Sequence, residues 1–143
     1  MKKSRIKGIT LLKKGKTAYP DSPDKAKLET FENIAKRDYM VRFESSEFTS
    51  ICPVTGQPDF ARIEIEYVPG RRCIESKSLK LYLFSFRNTG MFAEDIANRI
   101  LNDIDKAAKP KRAKVIARFA ARGGIGITVE AKKHRTGKNA STK

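Results

Sequence analysis

The run Ser50-Ile51-Cys52-Pro53-Val54-Thr55-Gly56-Gln57-Pro58-Asp59-Phe60 sets a thiol and a carboxylate a short, turn-rich distance apart, the pairing of a nucleophile with a proton donor. Pro53 restricts Cys52 to extended backbone, and Gly56 and Pro58 punctuate the segment, so Cys52 is expected on a rigid turn rather than in a helix. The competing reading of a lone thiol is a small buried apolar side chain. Cys52 and Cys73 are the only cysteines and His134 the only histidine, too few soft ligands for a zinc site, so no metal is expected.

A second cluster, Glu75-Ser76-Lys77-Ser78-Leu79-Lys80-Leu81-Tyr82, brings a carboxylate, hydroxyls and ammonium groups to an expected helix start. Ser76 or Ser78 can cap that helix, and Lys77 and Lys80 can meet a phosphate there, although plain capping and a solvated lysine face explain the same residues. A third, Phe92-Ala93-Glu94-Asp95, opens the next helix, where acidic residues also suit the helix dipole.

The elements that position these clusters follow from periodicity. Residues 39–44 read as a strand, and residues 62–68 alternate with Ile63, Ile65 and Tyr67 on one face; the Cys52 loop joins the two. Leu79, Tyr82, Leu83 and Phe86 mark one face of a helix closed by Gly90. Phe92, Ile96, Ile100, Leu101 and Ile104 mark the face of a second helix, which ends before Pro110. Beyond Pro110, Val115, Ala117 and Phe119, then Ile125, Ile127 and Val129, alternate on either side of Arg122-Gly123-Gly124, a hairpin. The order β-β-α-α-β-β predicts an α+β domain, an antiparallel sheet with two helices on one face, whose open edges invite a homo-oligomer.

The chain has 143 residues and a formal charge of +15. Twelve of its 31 Lys and Arg residues lie in residues 1–17 and 131–143, which hold no Asp or Glu, leaving 19 basic against 16 acidic residues between them. This divides the chain into a basic N-terminal tail (1–17), one folded domain (18–130) and a basic C-terminal tail (131–143), the tails solvated and able to touch a polyanion such as tRNA. No apolar run reaches the roughly 18 residues of a membrane span, and no secretory block opens the chain, so a cytoplasmic protein is expected. Charge confined to the tails, with no aromatic-interleaved basic platform, argues against a non-catalytic RNA-binding protein.

Together, residues 52–60 (Cys-Pro-Val-Thr-Gly-Gln-Pro-Asp-Phe), 75–82 (Glu-Ser-Lys-Ser-Leu-Lys-Leu-Tyr), 84–88 (Phe-Ser-Phe-Arg-Asn) and 122–124 (Arg-Gly-Gly) resemble the short form of the 7-cyano-7-deazaguanine reductase family, the NADPH-dependent nitrile reductases of queuosine biosynthesis. The resemblance runs from about Tyr19 to Val129. It implies a tunnelling fold (T-fold) like that of GTP cyclohydrolase I, with pentameric or decameric rings and active sites between subunits. It further implies that Cys52 attacks the nitrile carbon to form a thioimide, that Asp59 donates the proton, and that Glu75, Ser76, Phe92 and Glu94 hold the deazapurine. Lys77 and Lys80 would belong to the NADPH site. Ala93 and Thr89 depart from the family, which usually carries histidine at both places. A related amidinotransferase, which adds ammonia to the same nitrile within tRNA to give archaeosine, would use Cys52 and Asp59 but leave residues 75–82 without a cofactor to serve.

Overall fold

The computed structural model describes residues 3–11 and 17–135. In chain order the elements are β1 (Thr30–Glu32), β2 (Val41–Ile51), β3 (Pro58–Val68), β4 (Arg72–Ile74), α1 (Ser76–Phe84), a 3-10 turn (Ser85–Asn88), α2 (Ala93–Ala108), β5 (Arg112–Arg122) and β6 (Ile125–His134). The four long strands form one antiparallel sheet in the order β2-β3-β5-β6, and β1 and β4 form a separate two-stranded sheet. The expected order is therefore present, with two short strands added. Three residues are too few to show a hydrophobic period, which is why β1 and β4 escape sequence reading.

The side chains of one sheet face, among them Ile63, Ile65, Tyr67, Val115 and Ala117, pack with Ile96, Ile100 and Ile104 of α2 and Tyr82 and Phe86 of the α1 region in a single core. Each fully buried Ile, Val or Phe side chain among them contributes about 1.5–3 kcal/mol. The opposite face carries ion pairs across strands, Arg42–Glu66 at 2.8 Å, Arg62–Glu44 at 3.2 Å and Arg118–Glu64 at 2.6 Å, the dressing of a sheet surface that meets water. Gly123 and Gly124 both have positive φ (58° and 80°), as a tight hairpin turn whose twist matches the flanking strands requires.

Several boundaries differ from expectation. β2 continues seven residues past Glu44 through an irregularity between Ser45 and Phe48, and β3 begins at Pro58, so Asp59 and Phe60 lie on a strand rather than in the loop. Phe92 is 54% exposed at the N-cap of α2 rather than on its buried face. Both expected tail boundaries fall inside structure. Ile9 is buried, and the backbone N–H groups of Thr10 and Leu11 donate to the Glu29 carboxylate at 3.0–3.1 Å. β6 runs beyond residue 130 to His134, where Ala131 is buried and Lys133 and Arg135 donate to Asp105 at 2.7 and 2.6 Å. Charge count alone cannot see that these lysines and arginines have an acidic partner on α2. The remaining tail residues, 1–2, 12–16 and 136–143, lie outside the described residues.

Candidate active site

Cys52 follows directly from the end of β2 and is 9% exposed. The turn that holds it is closed by Cys52 N–H donating to Gln57 O at 2.8 Å and Gly56 N–H donating to Cys52 O at 2.9 Å. On its other side the segment Thr89–Met91 docks on the strand end, with Ile51 N–H donating to Thr89 O and Met91 N–H to Ile51 O, each at 3.2 Å. Gly90 permits this approach, since a Cβ there would stand 3.3 Å from Pro53 Cα. The Thr55 hydroxyl, the backbone N–H groups of Thr55 and Val54, and the Arg122 guanidinium all stabilise the sulfur anion and hold the thiol down at about 6, from an ordinary 9.0. Near pH 7 these groups therefore favour the thiolate over the thiol. An inert buried cysteine has its pKa raised by apolar surroundings, whereas the groups around Cys52 push it the other way, in the direction of a reactive thiolate.

Asp59 stands on β3 with its carboxylate Oδ1 3.2 Å from Arg122 Nε. The same guanidinium donates through Nη1 to Gln57 Oε1 at 2.7 Å. Arg122, the last residue of β5, thus holds the carboxylate and the loop, and its charge favours the nearby thiolate. Sequence reasoning did not place it in the site; its only signal was the Arg-Gly-Gly motif, which reads equally as hairpin punctuation. Cys52, Asp59, Arg122, Phe92, Glu94 and Ile127 line a cleft of about 300 Å³, and Ala93 lines it too, at one of the places where a histidine was expected. Opposite Asp59 on β2, Ser50 is fully buried and its Oγ has no hydrogen-bond partner among the described residues.

The remaining expected site residues are held apart from this cleft. Glu75, rather than Ser76 or Ser78, caps α1: its Oε1 accepts from Ser78 N–H at 2.7 Å and its Oε2 from Lys77 N–H at 2.8 Å. A carboxylate reaches two N–H groups at once and the helix dipole favours its charge, advantages a serine lacks. Ser78 instead accepts from Glu29 N–H at 2.9 Å. Glu75 and Ser76 line a different cavity of about 540 Å³ together with Tyr39, Tyr67 and Cys73, where the Cys73 sulfur, 3.4 Å from the phenol, and burial push Tyr39 up to about 12. Lys77 and Lys80 stand in the first turns of α1, and neither forms an ion pair among the described residues. No group of His, Cys, Asp and Glu able to hold a metal ion occurs among the described residues. No described helix is long and apolar enough to cross a membrane.

An antiparallel sheet backed on one face by two helices is the architecture of an α+β tunnelling fold. The crystal structure of the archaeosine synthase QueF-Like in the apo form superposes on it with a TM-score of 0.64, over 68% of this chain and 96% of that one, at 23% identity. Sequence similarity carries the assignment further. The family model described as QueF-like protein matches residues 58–138. The NADPH-dependent 7-cyano-7-deazaguanine reductase of Syntrophus aciditrophicus (strain SB) is 52% identical over 130 residues, 90% of this chain and 89% of that protein. Its counterpart in Halorhodospira halophila (strain DSM 244 / SL1) is 54% identical over 108 residues, 75% of this chain and 92% of that protein. The chain belongs to the QueF-like family of 7-cyano-7-deazaguanine reductases.

Proposed function

We propose that this chain is an NADPH-dependent oxidoreductase that reduces the nitrile of 7-cyano-7-deazaguanine to the aminomethyl group of 7-aminomethyl-7-deazaguanine, in queuosine tRNA modification. The observation that carries the reading is the placement of an activated Cys52 and of Asp59 in one cleft. A nitrile carbon resists hydride until a soft nucleophile adds to it, and a thiolate does so near neutral pH. Cys52 Sγ bonds to that carbon and the nitrogen takes a proton from Asp59, giving a thioimide. NADPH supplies two hydrides to the carbon in successive turns. The first, with a proton to nitrogen, leaves a tetrahedral carbon from which Cys52 departs as thiolate to give a protonated imine, and the second completes the neutral amine. Across the cycle the nitrile gains two hydrides and two protons, and Cys52 is regenerated.

Glu94 and Phe92 suit the donor edge and the face of a guanine-like base. For the cofactor, the ammonium groups of Lys77 and Lys80 at a helix start, without an ion pair among the described residues, suit phosphate. These lysines, with Glu75 and Ser76, serve the cleft of a neighbouring copy in a ring. Two features support that assembly: β2 and β6 are the outer strands of the sheet, and the cleft is bordered by exposed apolar side chains, Phe92 at 54%, Ile125 at 70% and Ile127 at 44%. The test is loss of NADPH absorbance on mixing protein with the free base, compared with Cys52→Ala. Consumption confined to the wild type supports the reduction. A Cys52 adduct that leaves NADPH untouched would move the assignment to the amidinotransferase.

A further inference from the structure

We propose that Ser50 is a positioning residue for Asp59, holding its carboxyl group during proton delivery, when Arg122 no longer does; this rests on the reductase reading above. Ser50 and Asp59 are directly paired across β2 and β3, so their side chains leave the same face of the sheet with Cβ atoms about 4.5–5.5 Å apart. That face is the one turned to the helices, since Phe48 on β2 and Ala61 on β3, each two residues along, are buried. Cys52 follows Ser50 by two residues, which sets the hydroxyl between the nucleophile and the core.

Ser50 is 0% exposed, and its Oγ is the one buried side-chain oxygen or nitrogen without a hydrogen-bond partner among the described residues. A buried hydroxyl with nothing to bond is a desolvation cost that an alanine would remove, so its presence calls for a partner arriving in another state. Asp59 is the polar group opposite it, and in this state its Oδ1 faces Arg122 Nε at 3.2 Å. A guanidinium only donates, and its hold on Asp59 depends on the carboxylate charge. The acid form that delivers a proton lacks that charge. A serine hydroxyl both donates and accepts, so it can hold the acid before transfer and the carboxylate after it.

The test compares wild type, Ser50→Ala, Asp59→Asn and the double variant in the same assay, reading kcat and KM from NADPH consumption and Cys52 adduct by intact mass. Ser50→Ala is expected to keep or raise Tm, to retain the adduct, and to lower kcat about tenfold while KM changes less than threefold. In the Asp59→Asn background the same substitution should cause no further loss, since Ser50 acts only through that carboxyl. Ser50→Gly, which also deletes the hydroxyl, should reproduce the loss if the alanine variant misfolds. Wild-type kcat in either deletion, or a full additional loss in the Asp59→Asn background, would overturn the inference alone. A wild type that forms no adduct would overturn the parent reading and this inference with it.

Discussion

Arg122 Nε lies 3.2 Å from Asp59 Oδ1, and one guanidinium thereby ties the end of β5 to a carboxylate on β3 and, through Gln57, to the loop that carries Cys52. The hairpin turn at Gly123-Gly124 begins at the next residue, so the position of this cation is set by the tightest turn of the sheet. A single residue thus couples the charge at Cys52 to the orientation of the Asp59 carboxylate.

Replacing Arg122 by Gln should raise the pH at which Cys52 becomes reactive. In the wild type, the rate of alkylation by iodoacetamide should fall as pH drops through about 6, because the thiolate and not the thiol reacts. In Arg122→Gln the midpoint should move upward, yet stay below an ordinary thiol's, because the Thr55 hydroxyl and the Thr55 and Val54 N–H groups remain. An unmoved midpoint would show that the arginine serves only the loop and Asp59.

Asp59→Asn should separate the two halves of the chemistry. The amide cannot supply the proton, so NADPH consumption should drop roughly 10²–10⁴-fold, while mass spectrometry still finds substrate on Cys52 after long incubation. Equal loss of both would mean that Asp59 shapes the cleft rather than moving a proton.

Glu75→Ala asks whether this carboxylate stabilises α1 in addition to its proposed place in substrate recognition. Loss of a cap that accepts two N–H groups at 2.7 and 2.8 Å should cost about 1 kcal/mol, a fall in Tm of about 3 °C for a chain of this size. Thermal melting without ligand checks it: an unchanged Tm would leave Glu75 with a recognition role only.

How much of this was visible in the sequence follows from the range of each signal. The alternation through Ile63, Ile65 and Tyr67 and the stripe through Ile96, Ile100 and Ile104 placed the long strands and α2, because burial against one face imposes a period on many residues. Cys52 and Asp59 were legible as a pair because they share one short loop and strand start. Arg122 was not, because its contacts with residues 57 and 59 span more than 60 positions and depend on the β3–β5 pairing. Ser50 carries no signal at all in a sequence, where an unpartnered hydroxyl looks like any other serine. Glu75 as a cap was missed because Ser76 and Ser78 have the higher capping propensity and only geometry shows which oxygen faces the N–H groups.

Ile125→Glu tests the assembly. Ile125 is 70% exposed beside the Cys52 cleft, so a carboxylate there leaves the core intact but cannot be buried against a neighbouring copy. Light scattering should show smaller species than the wild type forms, and NADPH consumption should fall with them while Cys52 alkylation persists. Full activity from a monomer would refute a site shared between copies.

The central claim is that Cys52 captures the nitrile and returns it reduced, and intact mass spectrometry with the free base tests it most directly. The protein should gain the whole mass of 7-cyano-7-deazaguanine, peptide mapping should place it on Cys52, and adding NADPH should discharge the adduct with two cofactors oxidised per aminomethyl product. Protein that gains no mass although Cys52 is freely alkylated, or an adduct that NADPH never discharges, would contradict the account.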